Sequence, residues 1–135
     1  EASLEFVASE GWTRQAIVKG AEKAGFPGAI QGLFSDGGIE LVNYYYLKCN
    51  NELIEIMKEK AGDKSENVEN PKEFVTWALQ QRLTMVHPYI KQWPQALAMM
   101  TLPQNVPVSL ANMLTLVDDI CYFSGDRSVD VSAFF

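Results

Sequence analysis

Few side chains in this sequence have the type and spacing that catalysis requires. His87 is the one histidine. It sits directly before Pro88, and a general acid or base needs a positioned partner that the sequence does not supply. A structural place at a helix end is the plainer reading. Asp118-Asp119 has the look of a metal pair, but neighbours on a helix diverge by about 100°. No His or Glu follows at i+3 or i+4 to complete a site, so both belong at a surface. Cys49 and Cys121 lie far apart inside apolar helical patterns, where free thiols pack as small hydrophobes, as suits a reducing compartment. Gly37-Gly38 and Gly125 read as turns and caps, and nothing resembles a phosphate-binding glycine loop or a nucleophile elbow. The inventory points to binding rather than catalysis, with no cofactor and no metal.

The composition narrows the class. At 135 residues with 47% hydrophobic content, the chain is one domain able to bury a core. A formal charge of −6 removes the clustered cations that drive non-specific nucleic-acid binding. No run approaches the ~18 apolar residues that span a bilayer, and the first residues lack a basic and then apolar leader. The expectation is a soluble chain, compatible with a targeting segment cleaved ahead of Glu1.

The apolar spacing that positions these groups is helical almost throughout, an all-α class. Leu4, Phe6 and Val7 suit a short helix ending near Gly11. Thr13 caps a second in which Ile17, Val18, Ala21 and Ala24 face inward. A brief helix over about 28–34 leads into the turn Ser35-Asp36-Gly37-Gly38. From Ile39 to about Lys60, Val42, Tyr45, Tyr46, Cys49, Leu53, Ile56 and Met57 recur at three and four residues, with Asn50, Asn51, Glu55 and Glu59 on the other side. Residues 62–70 form a polar connector. Pro71 opens a helix whose wide apolar arc includes Phe74, Trp77, Leu79 and Leu83, which predicts burial on most sides. Pro88 ends or kinks that helix, Pro94 starts a short one, and Pro103 stops it. Pro107 opens a last long helix with an inward stripe of Leu110, Met113, Leu114, Val117, Ile120 and Cys121. Val129 to Phe135 reads as the start of another helix.

The remaining resource is apolar volume: Tyr45, Tyr46, Trp77, Leu83 and Trp93, with Met85, Met99, Met100 and Met113. These residues make either a packed core or the lining of an elongated apolar ligand's cavity. Sequence leaves both readings open.

Two resemblances bear on the choice. Ala2-Ser-Leu-Glu-Phe, Gly11-Trp12, Ala21, Ala24-Gly25 and Leu33-Phe34 resemble the helix-turn-helix of TetR-type regulators. The stretch from Gly25 to Phe34 is one residue short, however, and Gly28-Ala-Ile-Gln-Gly offers only Gln31 to read a base and no cation for phosphate. Arg14, Lys19 and Lys23 on the preceding helix read as a solvated face. Further along, Cys49-Asn, Arg82-Leu, Pro88-Tyr-Ile, Trp93-Pro, Leu102-Pro, Asn105-Val-Pro, Val117-Asp-Asp and Ser124-Gly-Asp resemble the ubiquinone (coenzyme Q) biosynthesis accessory family, the lipid-binding family of coenzyme Q biosynthesis protein nine.

That resemblance implies a TetR-like helical bundle with a degenerate helix-turn-helix over 1–36. A lipid-binding portion over 37–135 would pack as one unit with it. It implies no DNA binding and no enzymatic activity. Instead the protein would form a homodimer, associate peripherally with membrane on the matrix side of the mitochondrial inner membrane, and hold an isoprenoid quinone or phospholipid. It would present the quinone precursor to the di-iron demethoxyubiquinone hydroxylase. The candidate lipid-binding residues are Tyr45, Cys49, Trp77, Leu83, Met99, Met113 and Val117. The family's partner-binding patch falls on Asp118, Ile120, Asp130, Ala133 and Phe134. Ala133 stands where the family has Trp and Phe134 where it has Tyr, which weakens the aromatic anchor of such an interface, and His87 replaces an apolar residue. The family continues past residue 135 with helices that close the cavity and an amphipathic membrane-facing helix. The alternative is a shortened paralogue serving as a structural subunit of a larger mitochondrial assembly, its groove filled by protein.

Overall fold

Prolines and capping side chains set several of the helix starts. A computed structural model describes residues 1–26, 37–61 and 70–124. Those residues form one 3-10 segment at Ala2–Phe6, another at His87–Tyr89, and six helices: α1 (Val7–Glu10), α2 (Arg14–Lys23), α3 (Gly38–Ala61), α4 (Pro71–Thr84), α5 (Trp93–Met100) and α6 (Val106–Ser124). No strand occurs among the described residues, so the protein is all-α there. The expected helices over 28–34 and 129–135 lie outside the described residues.

The chain divides into two compact units, neither continuous in sequence: residues 1–46 with 86–109, and residues 47–85 with 110–135.

In the first unit, Gly11 ends α1 with a φ of 71°, a left-handed conformation that costs glycine little. Thr13 then caps α2, its hydroxyl accepting from the Ala16 amide while donating to the Glu10 carbonyl at 2.9 Å. The face of α2 turned inward is Ala16, Ile17, Gly20 and Ala21, whereas Ala24, expected inside, is exposed. Ala24 shares that stripe but is the C-cap, at the helix's end. The close packing is at Gly20. Its missing side chain lets the backbone of Ser3 come so close that any Cβ would overlap it. Gly38 does the same at the start of α3, where a Cβ would overlap the Trp12 carbonyl oxygen.

Trp12 is the hub of this unit, 1% exposed. Its amide donates to Gln95 Oε1 at 2.9 Å and its indole N–H to the Gln92 carbonyl at 3.0 Å. Its ring meets those of Tyr45, Tyr89 and Trp93 at centroid distances of 5.8, 5.6 and 5.9 Å, within the range where tilted aromatic pairs attract. The Pro88-to-Pro94 run therefore delivers two rings and a glutamine carbonyl to one tryptophan.

In the second unit, Asn70 caps α4 through the Glu73 amide, with Pro71 in the first turn where it has no N–H to lose. The core there comprises Leu53 and Met57 of α3, Phe74 and Ala78 of α4, and Ile120 and Phe123 of α6, with Trp77, Met85 and Leu116 packed against its margin. The sequence placed Asn50 on the solvated side of α3. Instead it is 3% exposed, and its Oδ1 accepts from the Nε of Arg82 at 3.0 Å. Arg82 is itself buried at the end of α4. The wide arc of α4 is not covered on most sides, since Leu79 is exposed and Leu83 is 72% exposed.

A candidate apolar binding face on the last described helix

α6 is built from a segment without a charge before Asp118. Pro107 supplies its first turn and the Asn105 side chain ties the preceding turn by donating to the Met99 carbonyl at 2.8 Å. At 19 residues it is the one described helix long and apolar enough, by length and composition alone, to cross a bilayer, which for a single helix is weak evidence. Only its C-terminal end is buried, through Ile120, Phe123 and Ser124. Val106, Val108 and Leu110 are exposed, and Met113 is 46% exposed. Leu110 and Met113, expected as an inward stripe, are thus about half exposed. Exposed apolar side chains are ordinary when scattered; here four occur within eight residues of one helix.

The candidate lipid-binding residues fall on both units. Tyr45 is buried within the aromatic cluster of the first, its ring 4.9 Å from that of Tyr89, and Met99 is half-buried on α5. In the second unit Cys49 is buried, Val117 half-buried, and Leu83 and Met113 exposed. Trp77 lies against the core, its ring tilted against that of Phe74 at a centroid distance of 5.5 Å, with the Lys60 ammonium 4.4 Å from its ring centroid. Leu83 and Met113 are therefore exposed, Trp77 and Val117 partly so, and Cys49 is enclosed.

Of the partner-patch residues, Asp118 is exposed and Ile120 sits inside the core. Asp130, Ala133 and Phe134 lie outside the described residues. Asp119 is half-buried, and this burial pushes its carboxyl above the usual value, with the adjacent Asp118 charge adding to the shift. His87 is exposed on the short 3-10 segment. Among the described residues no three His, Cys, Asp or Glu side chains cluster to hold a metal.

The cations of the helix-turn-helix-like segment are engaged within the chain. Lys19 pairs with Glu10 and Lys23 with Glu5, so two of the three cations read as a solvated face of α2 have carboxylates beside them. Sequence reasoning missed Asn50 and Arg82. The signal was present: Asn50 lies three and seven residues before the buried Leu53 and Met57, on their helical stripe.

Comparison with known proteins adds the family. The COQ9 family profile matches residues 106–134, which contain α6. The chain is 50% identical over 130 residues to the mitochondrial ubiquinone biosynthesis protein COQ9 of Drosophila melanogaster, covering 96% of this chain and 40% of that protein. It is 42% identical over 134 residues to the Xenopus tropicalis protein of that name (97% and 42% covered), and 36% to the Homo sapiens one (96% and 42% covered). The chain thus spans about two fifths of the length of these relatives. Across nearly all of its own residues, this chain is similar to the COQ9 proteins.

Proposed function

We propose that the chain acts in mitochondrial ubiquinone biosynthesis as a non-catalytic accessory protein. It binds an isoprenoid or quinone-precursor lipid and presents it to a partner hydroxylase on the matrix side of the inner membrane. The observation that carries this reading is the exposed apolar length of α6, Val106 to Met113, in the segment that matches the family profile. A chain of saturated or isoprenoid carbons gains affinity simply by removing such surface from water, at about 25 cal/mol per Å². Leu83 and Val117 are further candidates for contact with the lipid, and Asp118 supplies a charged point for the partner, with Asp130 and Phe134 completing its patch. A TetR-like bundle, a homodimer and peripheral membrane attachment belong to the same proposal.

The test is native mass spectrometry of the purified 135-residue chain with extraction of co-purifying lipid, on the parent and on Leu110→Ala/Met113→Ala. Both side chains are half-exposed, so the double variant should lose bound isoprenoid while its stability changes by less than about 1 kcal/mol. Ile120→Ala, inside the core, should instead cost about 2–5 kcal/mol. A lipid-free chain recovered only with other polypeptides would overturn the proposal in favour of a structural subunit whose apolar face is covered by protein.

A further inference from the structure

A cavity of about 260 Å³ opens between the 3-10 segment at Ala2–Phe6, α2 and α3. Its floor is made of small residues, Gly20, Ala21 and Ala24, and the rings of Phe26 and Tyr44 flank it. Both rings are exposed, an unusual state for two aromatic side chains at one opening unless their faces have a use. The floor is small because the Ser3 backbone crosses α2 at Gly20, where a Cβ has no room.

One polar atom in this lining is not accounted for. Glu40, on the first turn of α3, lines the cavity, and its Oε2 is shielded from solvent with no hydrogen-bond partner. The other polar groups there have theirs: the Ser3 hydroxyl donates to the Ile17 carbonyl at 3.3 Å and the Tyr44 hydroxyl to the Glu1 carboxylate at 2.6 Å. A buried acceptor left unsatisfied is costly, and a donor brought by a ligand would remove that cost.

We infer that this cavity binds a single aromatic ring bearing a neutral hydrogen-bond donor, a phenol in chemical class, with its hydroxyl directed to Glu40. Size sets the limit at one ring. A cavity of roughly 150 Å³ accommodates benzene, so 260 Å³ takes a substituted ring and excludes a long isoprenoid. The flanking rings favour a flat apolar body in offset or edge contact. The donor is neutral because an ammonium would have to shed its hydration against mostly apolar walls. This inference stands independently of the lipid reading, which concerns α6.

The experiment is ligand-observed NMR titration of the 135-residue chain with p-cresol, toluene and benzylamine. The expected result is saturable binding of p-cresol about fivefold tighter than toluene, the worth of one ordinary hydrogen bond. Glu40→Leu should abolish that discrimination while toluene still binds. Ala24→Phe, at an exposed position on the floor, should block both rings with an unchanged circular dichroism spectrum, which separates a filled cavity from a misfolded chain. Equal affinity for p-cresol and toluene in the parent, tighter binding of benzylamine, or no saturable binding of any ring would each overturn the inference.

Discussion

Replacing Asn50 by Ala tests the least expected contact in the second unit. The substitution removes the acceptor that Arg82 Nε meets at 3.0 Å, and a buried hydrogen bond to a charged group contributes about 1.5–3 kcal/mol. It also removes Asn50 Nδ2, which is buried without a partner, and relief of an unsatisfied donor returns about 1 kcal/mol. The net expectation is a loss of about 0.5–2 kcal/mol. With a urea m-value of about 2 kcal/mol/M, the unfolding midpoint should fall by about 0.25–1 M. Asn50→Asp separates the two contributions, because it keeps an acceptor opposite Arg82 and deletes the orphaned N–H. That variant should match or exceed the parent near neutral pH. The guanidinium holds the introduced carboxyl below its unfolded value, so its contribution is present above the unfolded pKa and disappears as pH falls through the folded one. Urea unfolding followed by circular dichroism, at neutral pH and in acid, reads both effects. An Asn50→Ala midpoint at or above the parent's, or an Asn50→Asp midpoint as low as the alanine variant's, would refute the account of this pair.

Two further outcomes concern other positions. The raised carboxyl of Asp119 means that the folded state holds its proton more tightly than the unfolded state, so this residue weakens the fold as pH rises through that interval. Asp119→Asn should therefore raise the melting temperature at neutral pH and lose the advantage in acid below the ordinary aspartate range, measured by thermal melts at both pH values. Gly38→Ala would place a Cβ into the Trp12 carbonyl oxygen, a backbone atom that cannot swing aside. It should cost about 1–3 kcal/mol, with a change in tryptophan fluorescence reporting the displaced indole.

The features legible in the sequence and those hidden by it divide along physical lines. Helix ends were legible because they are local: Thr13, Pro71 and Pro94 act within three or four residues of themselves. The inward residues of α3 from Val42 to Met57 were legible because helical spacing fixes a face. Asn50 was misplaced since polarity suggests solvent, while its partner lies 32 residues away and only tertiary structure brings the two together. Leu83, Leu110 and Met113 were expected inside because periodicity marks an apolar face without saying what covers it. Of the candidate site residues, Leu83, Met113 and Asp118 were found at the surface, and Cys49 and Ile120 inside.

The hub at Trp12 also sets a schedule. Its two donors reach acceptors 83 and 80 residues further along the chain, and Gln92 returns a third bond to the Ala8 carbonyl across 84. Closing such loops costs conformational entropy that short-range contacts do not offset. During synthesis at about 5–20 residues per second, Trp12 waits for some seconds before Gln95 exists. Over that time α1 and α2 have no indole anchor, and one of the chain's largest apolar side chains stays exposed to whatever chaperone or membrane is near. The N-terminal helices, though they resemble a separable module, acquire their native environment only after residues 86–95 have been made.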